Sequence, residues 1–295
     1  MPLVATLISN PAAAALTPAL AGEAVRALDA QHIGWLAPDV ACDLALPDSL
    51  AASDAVSRLE QLLAGKPVDF AVQDTAGRRK MLLIADMDST MIDQECIDEL
   101  GDEVGLKSRI AAITARAMNG EIEFEPALRE RVGLLAGLDE AVIDRVVESR
   151  VTLAAGGREL VATMNRAGAW TALVSGGFDA FTGRIAAQLG FREHRANRLL
   201  VDSGKLTGEV AEPILGSEAK VSALREICAR LDIALADAIA VGDGANDLAM
   251  LKLAGTGVAL HAKPSVAAAA KVRIDHGDLT ALLYLQGYRR DEFAA

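Results

Sequence analysis

Two aspartates, Asp86 and Asp88, follow directly after a run of five apolar residues in the stretch "MLLIADMDST". Such a run is typical of a buried strand, and residues i and i+2 of an extended chain point to the same side. Both carboxylates are therefore expected to face one site. There, one could attack phosphorus to form an acyl phosphate while the other moved protons to and from oxygen. Because Asp and Ser are ordinary turn residues, the pair alone is more typical of an acidic turn.

The stretch "GDGAND", residues 242–247, follows a second apolar run and could bind a cation. Asp243 and Asp247 offer hard oxygen ligands, which suit Mg2+ together with phosphate and water. The glycines would let the backbone approach the ion closely. The same residues are equally common in a turn that leads into a helix, so this stretch alone leaves both interpretations open.

Two further elements could hold a phosphoryl group. In "VSGGF" the hydroxyl of Ser175 and the N–H of Gly176 could donate hydrogen bonds to phosphoryl oxygens. The ammonium group of Lys220 could neutralise the nucleophile and the transferring group. Taken singly, the first element is more typical of a glycine turn and the second of a solvated helix lysine.

Alternating strands and helices predict how these residues are positioned. The β-like runs "WTALVSGG", "AIAVGDGAND", "TGVALHA" and "KVRIDH" are mostly separated by helix-like segments such as "SEAKVSALREICARL". This alternation predicts an α/β fold whose parallel sheet is covered by helices on both faces. Ligands of such sheets bind at the carboxyl ends of the strands, where Asp86, Ser175 and Asp243 would meet. The order of all four elements along one sheet favours function over independent turns.

The rest of the chain divides into three recognisable stretches. In residues 1–77 the runs "LVATLIS", "VACDLAL" and "VDFAVQD" are strand-like, and "AGEAVRALDAQ" and "SDAVSRLEQLLAG" are helix-like. They predict a small α+β domain, with "TAGRRK" as its junction to a second domain at 78–295. The insert between Asp88 and Ser175 is helical in composition. The segment "NRLLVDSGKLTGEV" predicts a β-hairpin that turns near Ser203.

Composition narrows the classes of function. The formal net charge of −12 argues against a nucleic-acid or anionic-membrane binder, and an anionic substrate would need a local cation. No uninterrupted apolar run reaches about 18 residues, so no membrane span is expected. The three cysteines form no CxxC pair, and the N-terminus is a poor signal peptide. We therefore expect a cytoplasmic protein with reduced thiols.

Taken together, "DMDST", "SGG", Lys220 and "GDGANDL" resemble the motifs of phosphatases of the haloacid dehalogenase superfamily, over about residues 78–290. The resemblance implies a Rossmann-like core with a small helical cap. It also implies that Asp86 is the nucleophile and that Asp88 is the acid/base, whose carbonyl also binds Mg2+. By the same resemblance, metal carboxylates come from Asp86 and Asp243 with support from Asp247, and the phosphoryl group is held by Ser175, Gly176, Lys220 and Asn246.

Within that superfamily, "DMDSTMIDQECIDEL" and "MNGEIEFEPALRERVGLLAG" resemble segments of the phosphoserine phosphatases. The resemblance implies that Glu95 meets the substrate ammonium, that Arg131 meets its carboxylate, and that Met118 and Phe124 line the pocket. Arg129 is a rival for the carboxylate role. The implied activity is Mg2+-dependent hydrolysis of O-phospho-L-serine through an aspartyl phosphate, the last step of serine biosynthesis.

The resemblance also places the core at about 78–93 and 158–295 and the cap at about 94–157. It suggests an ACT-like region at 1–77, with a homodimer as an open expectation. Three alternatives remain. The core could serve a phosphotransferase or a phosphatase for another small phosphorylated amino acid, and the N-terminal region could act as an amino-acid sensor. A DxD glycosyltransferase would not account for Lys220 and "GDGAND".

Overall fold

A small antiparallel sheet comes first along the chain, in a computed structural model that describes residues 2–294 apart from the side chain of Met118. The sheet has four strands in the order β2-β3-β1-β4, and two helices cover one of its faces. The resulting βαββαβ unit buries its own apolar cluster, which includes Leu7, Leu44 and Leu59. Its elements are β1 (Leu3–Ser9), α1 (Pro18–Leu28), β2 (His32–Ala37), β3 (Ala41–Ala45), α2 (Ala52–Leu63) and β4 (Val68–Asp74).

The expected strands β1, β3 and β4 and both helices are present, whereas sequence analysis missed β2. The sequence of that strand, "HIGWLA", contains Gly34 and lacks a clear alternation of apolar and polar residues. Its burial is only partial because it lies at the edge of the sheet. The domain boundary after residue 77 stays a prediction.

Six parallel strands form the main sheet, in the order β12-β11-β10-β5-β6-β7, so the expected α/β fold with a parallel sheet is confirmed. β5 lies between β10 and β6. After β5 the chain adds β6 and β7 on one side of it, and later β10, β11 and β12 on the other. That arrangement creates a topological switch point beside β5, where open α/β sheets bind ligands. The strands are β5 (Leu82–Ala85), β6 (Trp170–Phe178), β7 (Glu193–Asn197), β10 (Ala238–Gly242), β11 (Thr256–Leu260) and β12 (Val272–Ile274).

Helices cover both faces of this sheet. Leu83 and Leu173 pack on one face, and Leu82 and Val174 on the other, which is why every residue of β5 is apolar and buried. The flanking helices are α7 (Gly157–Arg166), α8 (Asp179–Leu189), α9 (Ser217–Leu231), α10 (Leu248–Leu253), α11 (Pro264–Ala269) and α12 (Ala281–Leu285). In the part of the chain that the structure describes, none of the helices combines the length and the apolar character needed to cross a membrane.

A bundle of four helices is inserted between β5 and α7, and we call it the cap. It comprises α3 (Cys96–Glu103), α4 (Lys107–Met118), α5 (Phe124–Gly133) and α6 (Val142–Ser149). Its two linkers run side by side, since Ile92 bridges Leu153 and the N–H of Asp93 donates to the carbonyl of Thr152 at 3.0 Å. The cap therefore enters and leaves the core at one place.

The hairpin formed by β8 (Leu199–Asp202) and β9 (Lys205–Val210) is hydrogen-bonded to the cap. Its turn falls at Ser203 and Gly204, as expected, and both residues adopt positive φ. Leu206 exchanges backbone hydrogen bonds of 2.8 Å with Gly137 and Leu138 of the cap. These bonds give the cap a second attachment to the core besides its linkers.

Arg78 joins the N-terminal unit to α12, one of the helices that flank the main sheet. Its guanidinium donates to Asp43 Oδ2 at 2.7 Å and Thr6 Oγ1 at 3.0 Å, and to the carbonyl of Leu285 at 3.1 Å. The side chain of Arg78 is only 10% exposed. A buried, multiply bonded guanidinium of this kind is costly to remove because its partner carboxylate is then left uncompensated.

Arg78→Ala is therefore expected to lower the free energy of unfolding by about 3 kcal/mol. The matched control is Arg58→Ala, since Arg58 makes an exposed ion pair with Asp29 and should contribute less than about 1 kcal/mol. Urea denaturation of the three proteins measures both effects. Equal losses in the two variants would contradict the role of Arg78 as a buried link.

Candidate active site

The carboxyl ends of β5, β6 and β10 meet below the cap, and there the polar side chains are buried. The N–H of Asp86 continues the strand ladder by donating to the carbonyl of Val241 at 3.0 Å. The chain then coils at once, because the N–H groups of Thr90 and Met91 both donate to the carbonyl of Met87. This local fold leaves Asp86 and Asp88 lining one cavity beyond the sheet edge.

Lys220 binds two of the carboxylates. Its Nζ lies 2.7 Å from Asp86 Oδ1 and 2.6 Å from Asp247 Oδ1, and the residue is only 1% exposed. Burial lowers the pKa of Lys220, but the charges of Asp247 and Asp86 more than offset this and raise it above its ordinary value. The lysine therefore carries a permanent positive charge between the two aspartates.

Asp86, Asp243 and Asp247 form a compact group of acids. One carboxylate oxygen from each lies within 4.8 Å of the others. Burial and the charge of Asp247 raise the pKa of Asp86 well above its usual range, against the opposing charge of Lys220. Burial, with the charges of Asp247 and Asp86, raises the pKa of Asp243 to about 8. Three buried carboxylates beside one ammonium group leave an excess of negative charge.

This group has the donor set of a divalent-cation site. Asp243 Oδ2 is buried and accepts no hydrogen bond from the residues that the structure describes, while Lys263 Nζ lies 3.4 Å from it. A hard cation would satisfy this oxygen and relieve the repulsion among the acids. Gly242 permits the close packing of the group, because a Cβ there would lie 2.4 Å from Asp247 Cγ.

Asp88 is held by hydrogen bonds from two sides. Its Oδ1 accepts from the N–H of Cys96 at 2.9 Å, and its Oδ2 accepts from the Ser175 hydroxyl at 3.3 Å. Burial raises the pKa of Asp88, while these hydrogen bonds lower it. Gly177 is required beside it, since a Cβ would lie 2.6 Å from Asp88 Oδ2. The carboxyl group is thus fixed in orientation and disposed to hold a proton.

The cavity measures about 190 Å3 and lies between these groups and the cap. Gly176 and Asn246 line its core side, and Phe124 lines its cap side together with apolar residues such as Ile122 and Leu128. Asn246 Oδ1 is buried without a hydrogen-bond donor among the described residues. The side chain of Met118 lies outside the described part of the chain.

Two charged residues of the cap face the same cavity. Glu95, just before α3, accepts a hydrogen bond of 2.7 Å from the Ser89 hydroxyl. Burial and the charges of Asp88 and Asp243 raise the pKa of Glu95 to about 8. Arg131 is only 5% exposed, and burial lowers its pKa although the charge of Glu95 opposes this.

Of the two arginines considered for the carboxylate role, Arg131 lines the cavity and Arg129 does not. Arg129 is exposed on the same helix and pairs with Glu212, away from the residues that line the cavity. Sequence analysis missed the supporting hydroxyls of Ser89 and Thr114 and the cation of Lys263. Ser89 lies inside the "DMDST" motif but was given no role, whereas Thr114 and Lys263 lie outside the motifs that carry the resemblance.

The comparisons agree with this geometry. Residues 83–252 match the family model described as haloacid dehalogenase-like hydrolase. The chain belongs to this family. It is 46% identical over 209 residues to the phosphoserine phosphatase of Albidiferax ferrireducens, covering 69% of this chain and 88% of that protein.

Two solved structures extend the comparison. A HAD-family hydrolase from Salmonella enterica serovar Typhi superposes with a TM-score of 0.85 at 30% identity, and the match covers 96% of this chain and 98% of that one. A substrate-bound phosphoserine phosphatase complex superposes with a TM-score of 0.67 at 39% identity, covering 70% of this chain and 98% of that chain. The first match therefore includes the N-terminal βαββαβ unit as well as the main sheet.

The acid group predicts a pH dependence of stability. With a folded pKa of about 8 against an ordinary 3.8, Asp243 keeps its proton in the folded state where the unfolded state has lost it. Stability should therefore fall as the pH rises between about 4 and about 8 when a chelator is present. In Asp243→Asn, the decrease in stability that comes from the Asp243 proton should be absent.

Urea denaturation across this pH window, with chelator throughout, measures the effect. Asp54→Asn is the control, since Asp54 is exposed on α2, and its pH dependence should follow that of the parent protein. An unchanged slope in Asp243→Asn would show that Asp243 is ionised throughout the window.

Proposed function

We propose that the chain is a phosphoserine phosphatase, which hydrolyses O-phospho-L-serine to L-serine and phosphate. The observation that carries this function is the charge pattern of one cavity: Asp86 and Asp88 on the floor, with Glu95 and Arg131 on the cap side. Phosphoserine carries a phosphate, an ammonium and a carboxylate, and these groups would meet the floor, Glu95 and Arg131 in turn. The phosphoserine phosphatase names of the relatives support the same function.

In the first step of the proposed reaction, Asp86 attacks phosphorus and displaces the serine oxygen. Asp88 gives its proton to that oxygen as the P–O bond breaks, and an aspartyl phosphate remains. In the second step Asp88 takes a proton from water, which attacks the same phosphorus and releases phosphate with Asp86 restored. The hydrogen bond from the N–H of Cys96 fixes the Asp88 carboxyl group where both transfers need it, and the Ser175 hydroxyl is left to donate to the phosphoryl group.

Positive charge must balance the phosphoryl group in this acidic site. The geometry of Lys220 supports a role against Asp86 and the phosphoryl oxygens, and the Ser175 hydroxyl, the Gly176 N–H and Asn246 would donate to those oxygens. We propose Mg2+ as the cofactor, held by Asp86, Asp243 and the backbone carbonyl of Asp88, with support from Asp247. When bound, Mg2+ supplies positive charge against the phosphoryl oxygens and lets Asp86 stay ionised.

We further propose that residues 1–77 form an ACT-like domain with a structural or dimerising role. The βαββαβ order and the antiparallel sheet support this assignment. A cytoplasmic location is supported by the three cysteines, all of which are buried as free thiols.

A substrate panel tests the function. Phosphate release in the presence of Mg2+ should be fastest with O-phospho-L-serine and should stop when the metal is chelated. Arg131→Ala should lower kcat/KM for phosphoserine by about 100-fold, because a buried charge loses its partner. The same variant should change hydrolysis of p-nitrophenyl phosphate by no more than about threefold, since that substrate has no carboxylate.

Arg129→Ala is the matched control, because Arg129 is exposed on the same helix and should leave both substrates unaffected. Hydrolysis of p-nitrophenyl phosphate without hydrolysis of phosphoserine would refute the substrate. It would leave the phosphatase chemistry of the core standing.

Asp86→Asn tests the nucleophile. An amide cannot form the aspartyl phosphate, so turnover should be lost while the circular dichroism spectrum is retained. Borohydride reduction of the acid-quenched wild-type reaction should convert Asp86 to homoserine, detected by peptide mass spectrometry. Turnover by Asp86→Asn, or homoserine at another aspartate, would refute the assignment.

A further inference from the structure

Arg131 is held in place by partners that use only part of its hydrogen-bonding capacity. A guanidinium has five N–H donors. Nε donates to the carbonyl of Ala127 at 3.1 Å, and Nη1 donates to the Thr114 hydroxyl at 3.1 Å. No acceptor for the remaining N–H groups on Nη1 and Nη2 is found among the residues that the structure describes. Arg131 is therefore a buried guanidinium that lines the cavity and still has N–H groups to donate to a ligand.

Thr114 is itself buried and does not line the cavity. It is 3% exposed, and its hydroxyl oxygen lies 2.8 Å from Asp98 Oδ1 and 3.1 Å from the carbonyl of Ile110, of which we take the nearer, charged Asp98 as the acceptor. The three residues thus form a chain in which Arg131 donates to Thr114 and Thr114 donates to Asp98. They lie on α5, α4 and α3, so the chain ties the three cap helices together at the point where the guanidinium is positioned.

From this chain we infer that Thr114 is a positioning residue for substrate specificity, which acts through Arg131 on the carboxylate of the substrate. The Ala127 carbonyl and the Thr114 hydroxyl bind Nε and one N–H of Nη1. The remaining N–H groups of Nη1 and Nη2 are left for a ligand in the cavity, where a carboxylate could accept two parallel hydrogen bonds from them. The inference rests on the proposed phosphoserine specificity.

The alternative role of Thr114 is purely structural, because its hydroxyl also holds α4 against α3. Loss of cap packing would weaken binding of every phosphorylated ligand, whatever groups that ligand carries. Loss of guanidinium orientation would weaken only ligands with a carboxylate. A ligand pair that differs in this group alone therefore separates the two roles.

The test compares O-phospho-L-serine with O-phosphoethanolamine, which has the phosphate and the ammonium but no carboxylate. Thr114→Val keeps the shape of the side chain and removes the hydroxyl. We expect it to raise KM for phosphoserine about tenfold, with kcat nearly unchanged. The inhibition constant of phosphoethanolamine against phosphoserine hydrolysis should stay within about twofold of the wild-type value.

Three further variants sharpen the result. Thr114→Ser keeps the hydroxyl and should restore a near-normal KM. Thr182→Val removes an equally buried threonine hydroxyl from α8, where its partner is His194, and should leave both constants unchanged. In an Arg131→Ala background, Thr114→Val should cause no additional loss for phosphoserine.

Equal weakening of both ligands in Thr114→Val, or an unchanged KM for phosphoserine, would overturn the inference while leaving the proposed function intact. Failure of the wild-type protein to hydrolyse phosphoserine, with p-nitrophenyl phosphate still hydrolysed, would overturn the proposed function and this inference together.

Discussion

The contact of Lys220 with Asp86 and Asp247 is the constraint on which the site depends. Removing a carboxylate from water costs several kcal/mol unless opposite charge lies close to it. Asp86, Asp88, Asp243 and Asp247 are all buried, and Lys220 is the buried lysine that opposes them in the described part of the chain. Burial and the charges of the neighbouring acids together raise the pKa values of Asp86 and Asp243. A protein whose net charge is −12 can attract an anionic substrate only if cations dominate locally.

The sheet explains how such an unfavourable cluster is assembled. β5 is a short strand of four buried apolar residues, and its two neighbours in the sheet are β6 and β10. Asp86 and Asp243 directly follow β5 and β10, and Ser175 lies near the end of β6. The packing energy of the sheet therefore holds the acids together against their repulsion. Gly242 leaves room for the side chain of Asp247 and Gly177 leaves room for that of Asp88, because a Cβ at either glycine would clash with its aspartate. Hydrophobic burial thus positions charges that would not associate by themselves.

The sequence was sufficient to predict the parallel sheet, the hairpin and the convergence of the strand ends, because each depends on local apolar runs and turn residues. It was insufficient for β2, whose partial burial leaves no alternation to detect. It also could not reveal Thr114 or Lys263 as neighbours of the site. The role of such a hydroxyl or ammonium group depends on a partner many residues away, as when Thr114 of α4 accepts a hydrogen bond from Arg131 of α5. The resemblance to the family already favoured Arg131 over Arg129, and packing agrees with that choice because Arg131 is buried while Arg129 is exposed.

The nucleophile of the core and the charged residues facing the cavity from the cap side are held by different means, and this difference matches their proposed tasks. Charge opposes charge at short range between Lys220 and Asp86, and this arrangement suits any phosphorylated group. In the cap, neutral hydroxyls orient the charged residues: Ser89 contacts Glu95, and Thr114 contacts Arg131. A hydroxyl partner fixes direction without neutralising the charge, so Glu95 and Arg131 stay available to a ligand of opposite sign. The cap can therefore select a zwitterionic substrate while the core supplies the same chemistry to any phosphate ester.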